Sequence, residues 1–540
     1  MFSGKSYHVW LPILLVCLAT ITASAQSFRV QCPTTTITHP AAANFEPAYT
    51  GPTNFAPGPA GYLVPSPSSV NGAIKCQQIS GGDGFATMGD GTQTYMFSFG
   101  PLSGLSDIAN GLPGTQFPDK FNSIYNGTLL PGDPATTGLA TFKFNGAVGL
   151  VPNLDCLAGN AAAAAQTPPA ALPCPNLPAG GLDGHVDPRP IMDIGVLNGN
   201  IPAPLMALDE DDEFFLTLTN IGQIMRPDLF EQHTVHFHGY PNASAFYDGV
   251  PDASVAINIG GSFTYYYLAP DAGTYFWHCH ITPPEHLQMG MVGQIYVRPR
   301  QNRVPVGQSL LLALQQQQQD PRTKCDSSAD ILCSNPLPRV PNVLLGTRAA
   351  TGNYAYNDGD GSTYYDVEYP VQIHGFDPNF HFVGMTFNPE GFTEMKDKYF
   401  LLNGRSYPDT VTEGPLQTMS ADGAMHFSQP LPSIIKLKAG QKALLRISDL
   451  DVTEYQTLAS LGIPMKVIAL NARLLRDQAG NNLYYNTNSI TLAGGESLDV
   501  ILDSTGVPAG TYFLYTPNLD HLSNDAENFG GLMTEVRIIN

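Results

Sequence analysis

Charged residues are scarce in this sequence, and basic residues are scarcer than acidic ones. Asp, Glu, Lys and Arg make up only 13% of 540 residues, and 46 acidic against 25 basic residues give a formal net charge of −21. Proteins that bind nucleic acids present a basic face to the phosphates, so we expect no nucleic-acid partner. An anionic membrane surface is disfavoured for the same reason.

Long hydrophobic runs are missing beyond the amino-terminal segment. Residues 9–21 form one apolar run, which follows Lys5 and precedes the small residues Ala23, Ser24 and Ala25. This pattern is typical of a cleaved signal peptide. We therefore interpret residues 1–25 as a signal peptide and expect a periplasmic or secreted protein. No later stretch approaches the ~18 apolar residues of a membrane-spanning helix, so no membrane span is expected after cleavage.

Glycine and proline are abundant, with 53 Gly and 46 Pro among 540 residues. Many turn-forming residues with few charges favour short strands over long helices. Hydrophobic residues reach 43%, which is enough for large cores and excludes wholesale disorder. The length predicts two or three domains.

Eight cysteines are present, and two of them stand apart. Cys17 leaves with the signal peptide, and Cys279 lies in a histidine-rich motif. The other six are an even number in an oxidising compartment, which predicts three disulfides. Proximity along the chain favours the pairs Cys32–Cys76, Cys156–Cys174 and Cys325–Cys333.

Composition divides the rest of the chain into segments. We expect an N-terminal arm over 26–75, a strand-rich domain over 76–300 with a loop-rich insertion at about 101–187, a linker over 301–345 and a second strand-rich domain over 346–540. The two strand-rich regions repeat each other in order, since residues 197–199, 260–262 and 272–276 recur as 402–404, 494–496 and 509–513. Ordered repeats predict two copies of one β fold.

The strongest functional signal is a set of metal-binding residue types in two short segments. One segment carries three histidines, and the other carries His-Cys-His followed by a further histidine and two methionines: His233, His236, His238, His278, Cys279, His280, His286, Met289 and Met291. Side chains alternate between the two faces of a strand. Pairing of the segments therefore places His233 and Cys279 on one face and four histidines on the other.

The face with the cysteine needs one more histidine and a weak axial group to form a blue-copper site, which consists of a thiolate, two imidazoles and a distant thioether. His286 follows Cys279 by seven residues on a loop with two prolines, and Met291 follows His286 by five. Zinc would not need the methionine. The four imidazoles of the other face suit one or more further copper ions.

In these motifs the sequence resembles the multicopper oxidase family of cupredoxin-fold proteins, which includes laccases. The resemblance is strong over about 185–300 and weak over 346–540. It implies an all-β fold with two cupredoxin-like Greek-key β-sandwich domains built from antiparallel sheets. The first domain carries the insertion, and the second is a degenerate copy without the copper motifs.

The resemblance also implies a role for each residue of the motifs. Four residues match the type 1 copper ligands: His233, Cys279, His286 and Met291. Four match ligands of the type 2/type 3 cluster that reduces dioxygen: His236, His238, His278 and His280. Asp248 resembles the acidic residue that assists proton delivery near that cluster, with an Asp-Gly turn as the alternative interpretation.

The chain departs from the family pattern in its second domain, which should supply half of the cluster's histidines. The repeat alignment places Gln456, Ala459 and Leu461 opposite the first histidine segment, and Tyr515, Thr516 and Pro517 opposite the second, with Leu532 opposite Met291. The remaining histidines lack the motif spacing and are expected in the core or on the surface, with His521 as an alternative interface ligand: His374, His381, His426 and His521.

We therefore expect an exported copper-dependent oxidoreductase of the multicopper oxidase type. Electrons enter at a type 1 copper from a small-molecule, metal-ion or protein donor. Dioxygen is reduced at a histidine-bound copper cluster that a second copy of the chain or another partner completes. The alternative is a type 1 copper electron-transfer or copper-handling protein without oxidase activity. The missing histidines favour this alternative, and retention of all four histidines on the second face opposes it.

Met291, rather than Met289, is expected to be the axial ligand, because the family places this methionine five residues after the ligand histidine. Strand alternation alone does not separate the two. Met291→Leu should raise the reduction potential of the bound copper because a weak donor is lost, and Met289→Leu should leave it unchanged. Redox titration of both variants measures this, and a shift for Met289→Leu alone would show that the assignment is wrong.

Overall fold

The computed structural model describes residues 74–101, 154–173, 175, 199–210, 212–223, 226, 231–239, 245–269, 271–317, 336–339, 346–384, 391–414, 416–419 and 425–540. The predicted signal peptide, nearly all of the arm and most of the insertion lie outside these ranges. The six cysteines of the predicted disulfides also lie outside the residues whose side chains are described, so those pairings stay predictions.

In the described residues, the first unit contains two four-stranded sheets, in the orders β2-β1-β4-β6 and β3-β8-β7-β5. The strands are β1 (Ile74–Thr87), β2 (Gln93–Pro101), β3 (Met206–Asp209), β4 (Glu213–Gly222), β5 (His236–His238), β6 (Ser262–Leu268), β7 (Gly273–His278) and β8 (Val292–Arg298). Their inward side chains form one apolar core that includes Phe97, Trp277 and Cys279.

The second unit is larger. Its strands are β9 (Asn353–Tyr354), β10 (Tyr364–Tyr365), β11 (Val367–Phe376), β12 (Tyr399–Leu402), β13 (Leu416–Met419), β14 (Met425–Ser428), β15 (Ile435–Lys438), β16 (Lys442–Asp449), β17 (Gln456–Leu461), β18 (Met465–Leu470), β19 (Arg473–Leu474), β20 (Tyr485–Thr487), β21 (Ser489–Leu492), β22 (Ser497–Asp503), β23 (Gly510–Tyr515) and β24 (Met533–Ile539). Alternation sets their faces: in β15, Ile435 and Leu437 are buried and the two lysines are exposed.

The two units share one strand arrangement. The sheet β2-β1-β4-β6 corresponds to β12-β11-β16-β22, and β3-β8-β7-β5 corresponds to β15-β24-β23-β17. Parallel pairs occur at matching places, between β1 and β4 and between β3 and β8 in the first unit, and between β11 and β16 and between β15 and β24 in the second. The fold is all-β and cupredoxin-like as expected, but its sheets are mixed rather than purely antiparallel.

Short helices lie between some of the strands along the chain. The α-helices of the described residues are α1 (Leu154–Ala164), α2 (Pro283–Gln288), α3 (Leu310–Gln317) and α4 (Pro378–Gly384). Short 3-10 helices lie at Ala245–Tyr247, Arg300–Arg303, Phe392–Glu394, Asp409–Val411 and Asp520–Leu522. Among the described residues, no helix has the length and apolar character needed to cross a membrane.

A buried ion network joins the two units. Glu368 of β11 accepts hydrogen bonds from Arg298 of β8, at 2.6 Å, and from Arg446 of β16, at 3.0 Å. Burial alone would raise the pKa of Glu368, but the two guanidinium groups outweigh it and lower the pKa to about 2. Asp499 extends the network by accepting a hydrogen bond from Thr274 of β7 at 2.6 Å. Buried charges of the first unit therefore pair with buried charges of the second.

Glu368→Gln should destabilise the protein by about 3 kcal/mol, because it removes the carboxylate that two buried guanidinium groups share. The matched control is Asp503→Asn, which breaks an exposed bridge to Lys442 and should cost less than about 1 kcal/mol. Chemical denaturation of both variants measures the difference. Equal effects would contradict a special contribution of the buried network.

Candidate metal centre

A thiol and two imidazoles meet in the interior of the first unit. The ligating atoms of His233, Cys279 and His286 all lie within 4.8 Å of one another, and the three residues are fully buried. His286 Nδ1 lies 3.3 Å from the Cys279 sulfur, which also accepts a hydrogen bond from the Thr234 amide at 3.4 Å. We call these three residues the thiolate group.

The strand ends fix the thiolate group in place. Cys279 follows the last residue of β7, and its amide donates to the Met291 carbonyl at 3.1 Å. His286 lies in α2, and the Met291 amide returns to the His286 carbonyl at 2.8 Å. These two hydrogen bonds hold the Met291 backbone close to the backbones of both Cys279 and His286. Met289 and Met291 are both buried in the core cluster that contains Cys279.

The environment favours the thiolate form of Cys279. Burial alone would raise the pKa of the thiol, but the neighbouring His286 and His233 hold it well below its ordinary value. Burial would lower the pKa of His286, but the Cys279 thiolate and the Glu231 carboxylate raise it to about 9. Burial lowers the pKa of His233. Without a metal, the group is thus a thiolate–imidazolium pair beside a neutral imidazole.

These side chains fit a metal ion. Neither ring nitrogen of the buried His233 has a hydrogen-bond partner among the described nitrogen and oxygen atoms, and buried polar atoms are usually satisfied. A thiolate with two imidazoles is the donor set of a blue-copper site.

Histidines gather on the opposite face of the same strands. β5 and β7 pair so that His236 lies opposite His278 and His238 opposite Phe276. Ligating atoms of His236, His238 and His278 lie within 4.8 Å of one another, and the Nε2 atoms of His238 and His278 are 2.9 Å apart. His280 lies beside this set, with its ring centroid 5.0 Å from that of His236. We call these four residues the histidine group.

Contacts of the ring Nδ1 atoms with neighbouring oxygens orient the histidine group. His236 Nδ1 lies 2.7 Å from the Asp248 carbonyl and 3.5 Å from its carboxylate. His278 Nδ1 lies 2.6 Å from the Cys279 carbonyl. In each ring the Nδ1–H can donate to oxygen and leave Nε2 for a metal, which is the usual tautomer control of ligand histidines. Asp248 therefore contacts the group through both its backbone and its side chain.

Burial keeps two rings of the histidine group, those of His238 and His278, uncharged. It lowers the pKa of His238 to about 4, with further lowering from His236 and His280. It also lowers the pKa of His278 well below its ordinary value. Because metals bind the neutral imidazole, these two rings are ready ligands at neutral pH.

The histidine group faces a cavity of about 520 Å³ between the two units. His238, His278 and His280 form one side, and the second unit forms the other with residues 451–455 and 493–495. In the second unit, β17 pairs with β23 so that Ala459 lies opposite Tyr515, in the place of the pair formed by His236 and His278. Among the described residues that line the cavity, those of the second unit offer carboxylates but no imidazole.

The sequence reasoning missed several residues around the two groups. Glu231 lies 3.6 Å from His286 Nε2 and is partly exposed. It stands two positions before His233, so strand alternation could have placed the two on one face. Phe97 packs edge-on against His286, at 5.1 Å between ring centroids, and Asp451 and Glu454 line the cavity. Phe97, Asp451 and Glu454 come from distant parts of the chain, so the sequence carried no local signal for them.

The remaining histidines of the second unit have other partners. His374 and His381 contact backbone carbonyl groups of the first unit. His521 contacts Gln456, Asn518 and Glu454. The side chain of His426 lies outside the described residues.

Comparison with known proteins gives a partial match. Residues 185–302 match the family model described as multicopper oxidase. Laccase abr2 of Aspergillus fumigatus is 35% identical over 109 residues, which are 20% of this chain and 17% of that protein. A copper-containing nitrite reductase of Rhizobium meliloti is 35% identical over 109 residues, 19% of this chain and 26% of that protein. The chain thus covers only a minor part of the length of these relatives.

Solved structures are more distant. The blue copper oxidase of Nitrosomonas europaea is 20% identical to this chain, with a TM-score of 0.41 over 63% of this chain and 78% of that one. Multicopper oxidase mgLAC is 19% identical, with a TM-score of 0.41 over 63% and 77% of the two chains.

Metal loading of the thiolate group should release about one proton per site at pH 7, because the His286 imidazolium must lose its proton to become a ligand. The release should fall towards zero as the pH rises through about 9, the pKa of His286 without metal. Calorimetry with Co²⁺ in buffers of different ionisation enthalpy counts the protons. A proton count near zero at pH 7 would show that the site holds no imidazolium.

Proposed function

The chain carries a domain of the multicopper oxidase family, and from this premise we propose that it is an exported copper-dependent oxidoreductase. The observation that carries the proposal is the juxtaposition of the thiolate group with the histidine group on opposite faces of one strand pair. Copper held by a thiolate and imidazoles changes oxidation state by one electron.

His233, Cys279 and His286 are the proposed ligands of a type 1 copper, with Met291 as the axial donor. Glu231 connects this site to solvent, because its partly exposed carboxylate lies against the buried His286 ring. An electron donor that reaches Glu231 is separated from the Cys279 sulfur by one imidazole, that of His286. The carboxylate can accept a proton from a small-molecule donor or attract a cationic one, so we place the donor site there.

The backbone connects the two groups, because Cys279 lies directly between His278 and His280. The Cys279 carbonyl also contacts His278 Nδ1, which gives a second, shorter connection between the groups. The proposed direction of electron transfer is from Glu231 and His286 through Cys279 to the histidine group. Asp248, which contacts His236, is the proposed proton-delivering residue at that end.

Reduction of dioxygen requires more ligands than the described residues of one chain bring to the histidine group. The four residues of the histidine group are half of the family's usual set, and the opposing wall of the cavity adds no imidazole from the described residues of the second unit. We therefore propose that a second copy or a different chain completes the cluster. It would approach from the side of the cavity on which His238 lies.

A second candidate function is electron transfer or copper handling without oxidase activity. The cavity wall favours it, because residues 451–455 and 493–495 occupy the place from which further histidines would come. The retained histidine group opposes it, since an electron carrier has no use for four convergent imidazoles. Copper content and oxygen uptake distinguish the two functions.

The copper-loaded protein should be blue, and two substitutions should separate its two sites. Cys279→Ser should abolish the visible band, because the thiolate is the source of the charge-transfer absorption. His238→Ala should keep the band and lower the copper content, because it removes a ligand of the histidine group alone. Absorption spectra and copper analysis measure both effects. A colourless copper-loaded wild type would rule out the type 1 site.

Oxygen uptake, measured against protein concentration with the mass in solution, tests the second part of the proposal. Turnover that appears only in an associated form supports a shared cluster. One blue copper per chain without oxygen uptake supports the electron carrier. Robust turnover by a strict monomer would contradict a cluster completed by another chain.

A further inference from the structure

The ligand loop, defined as residues 283–291, is held from outside by the second unit. This loop comprises α2 and the turn after it, and it carries both His286 and Met291. α4 of the second unit packs against the first unit and buries Phe380 in its core cluster. Two buried histidines of the second unit then reach the backbone of the loop.

His374 and His381 contact consecutive carbonyl groups of the loop. His374 Nε2 lies 3.0 Å from the Leu287 carbonyl, and His381 Nε2 lies 2.9 Å from the Gln288 carbonyl. His381 Nδ1 also lies 2.6 Å from the Tyr95 carbonyl of β2. The His381 ring therefore lies between β2 and the ligand loop, and it stacks on Phe376 at 3.5 Å between centroids.

Burial lowers the pKa of His381 to about 3, so the ring is neutral and carries one N–H. In the tautomer with its hydrogen on Nε2, the ring donates to the Gln288 carbonyl of the loop. Whichever tautomer is present, the ring fills the space between the loop and the strand that carries Phe97, the neighbour of His286.

Gln288 adds contacts between the loop and the second unit. Its fully buried side chain accepts a hydrogen bond from the Asp377 amide at 3.0 Å and donates one to the Asp397 carboxyl at 3.0 Å. Asp377 immediately precedes α4, and Asp397 lies just before β12. The second unit therefore contacts both the backbone and the side chain of Gln288.

Hydrogen bonds inside the loop transmit this restraint to the ligands. The Leu287 carbonyl accepts from both His374 and the Gly290 amide, and the Met291 amide donates to the His286 carbonyl. Movement of Leu287 or Gln288 would therefore change the separation of His286 and Met291. A blue-copper site depends on such outer contacts for its geometry and its potential.

We propose that the second unit is a positioning module for the copper site of the first, and that His374 and His381 are its positioning residues, holding the ligand loop closed through the Leu287 and Gln288 carbonyls. This inference rests on the proposed function for the identity of the metal, but not for the restraint itself. It also gives a use to a unit that lacks copper motifs of its own.

The test is hydrogen–deuterium exchange of the full-length, metal-free protein, followed through the peptide that covers 283–291. His381→Phe keeps the ring stack on Phe376 but removes the donor, and His374→Leu removes the other donor. Each should speed exchange of this peptide about tenfold, the effect of losing a hydrogen bond to a buried carbonyl. His381→Gln, which keeps an N–H donor, should restore near-wild-type protection.

His521→Phe is the matched control, because His521 is also buried in the second unit and stacks on Phe400 at 3.8 Å between centroids. Its polar partners among the described residues are Asn518, Gln456 and Glu454, which lie outside the loop. This variant should leave the loop peptide unchanged. Exchange of β22, which lies outside the loop, should be unaffected in every variant. If His381→Phe does not fold, His374→Leu and His381→Gln still carry the test.

In the copper-loaded protein, the same two substitutions should speed loss of copper to a chelator, whereas His521→Phe should not. Unchanged loop exchange in His374→Leu and His381→Phe, or equal acceleration in the control, would overturn the positioning role. Failure of the wild type to bind copper would instead overturn the proposed function, and would leave the exchange result standing.

Discussion

The pairing of β5 with β7 is the constraint on which both candidate sites depend. Register places His236 opposite His278, and alternation then assigns each neighbour to a face. Cys279 therefore points away from His278 and His280, towards the core in which His233 and His286 lie. A slip of one residue would send the thiol to the cavity and the imidazoles to the core, so a single backbone register determines two sites.

Burial has opposite consequences for the charge of the side chains at these two faces. In the core, one thiolate and one imidazolium stabilise each other where an isolated charge would be costly. At the cavity, burial without a counter-charge keeps His238 and His278 neutral. The core face therefore suits a soft, electron-accepting metal, and the cavity face suits metals that bind several neutral ligands. Consecutive residues of the chain join the two faces.

Strand alternation carried most of what the sequence could predict. The grouping of His233 with Cys279, and of His236 with His278, follows from spacing alone, and the repeat alignment identified Ala459 and Tyr515 as the counterparts that pair in the second unit. The antiparallel expectation was wrong in part, because the parallel pairing of β1 with β4 joins strands separated by the long insertion. Glu231 was within reach of the same reasoning, but Phe97, His374 and His381 were not, since only tertiary packing brings them to His286 and its loop.

The Glu368 network has a consequence for the loss of the second half of the chain. Arg298 belongs to the first unit, and its counter-charge belongs to the second. Loss of the second half would remove Glu368, whose carboxylate lies 2.6 Å from the Arg298 guanidinium group of the first unit. The second half therefore contributes to the stability of the first whether or not it binds copper itself.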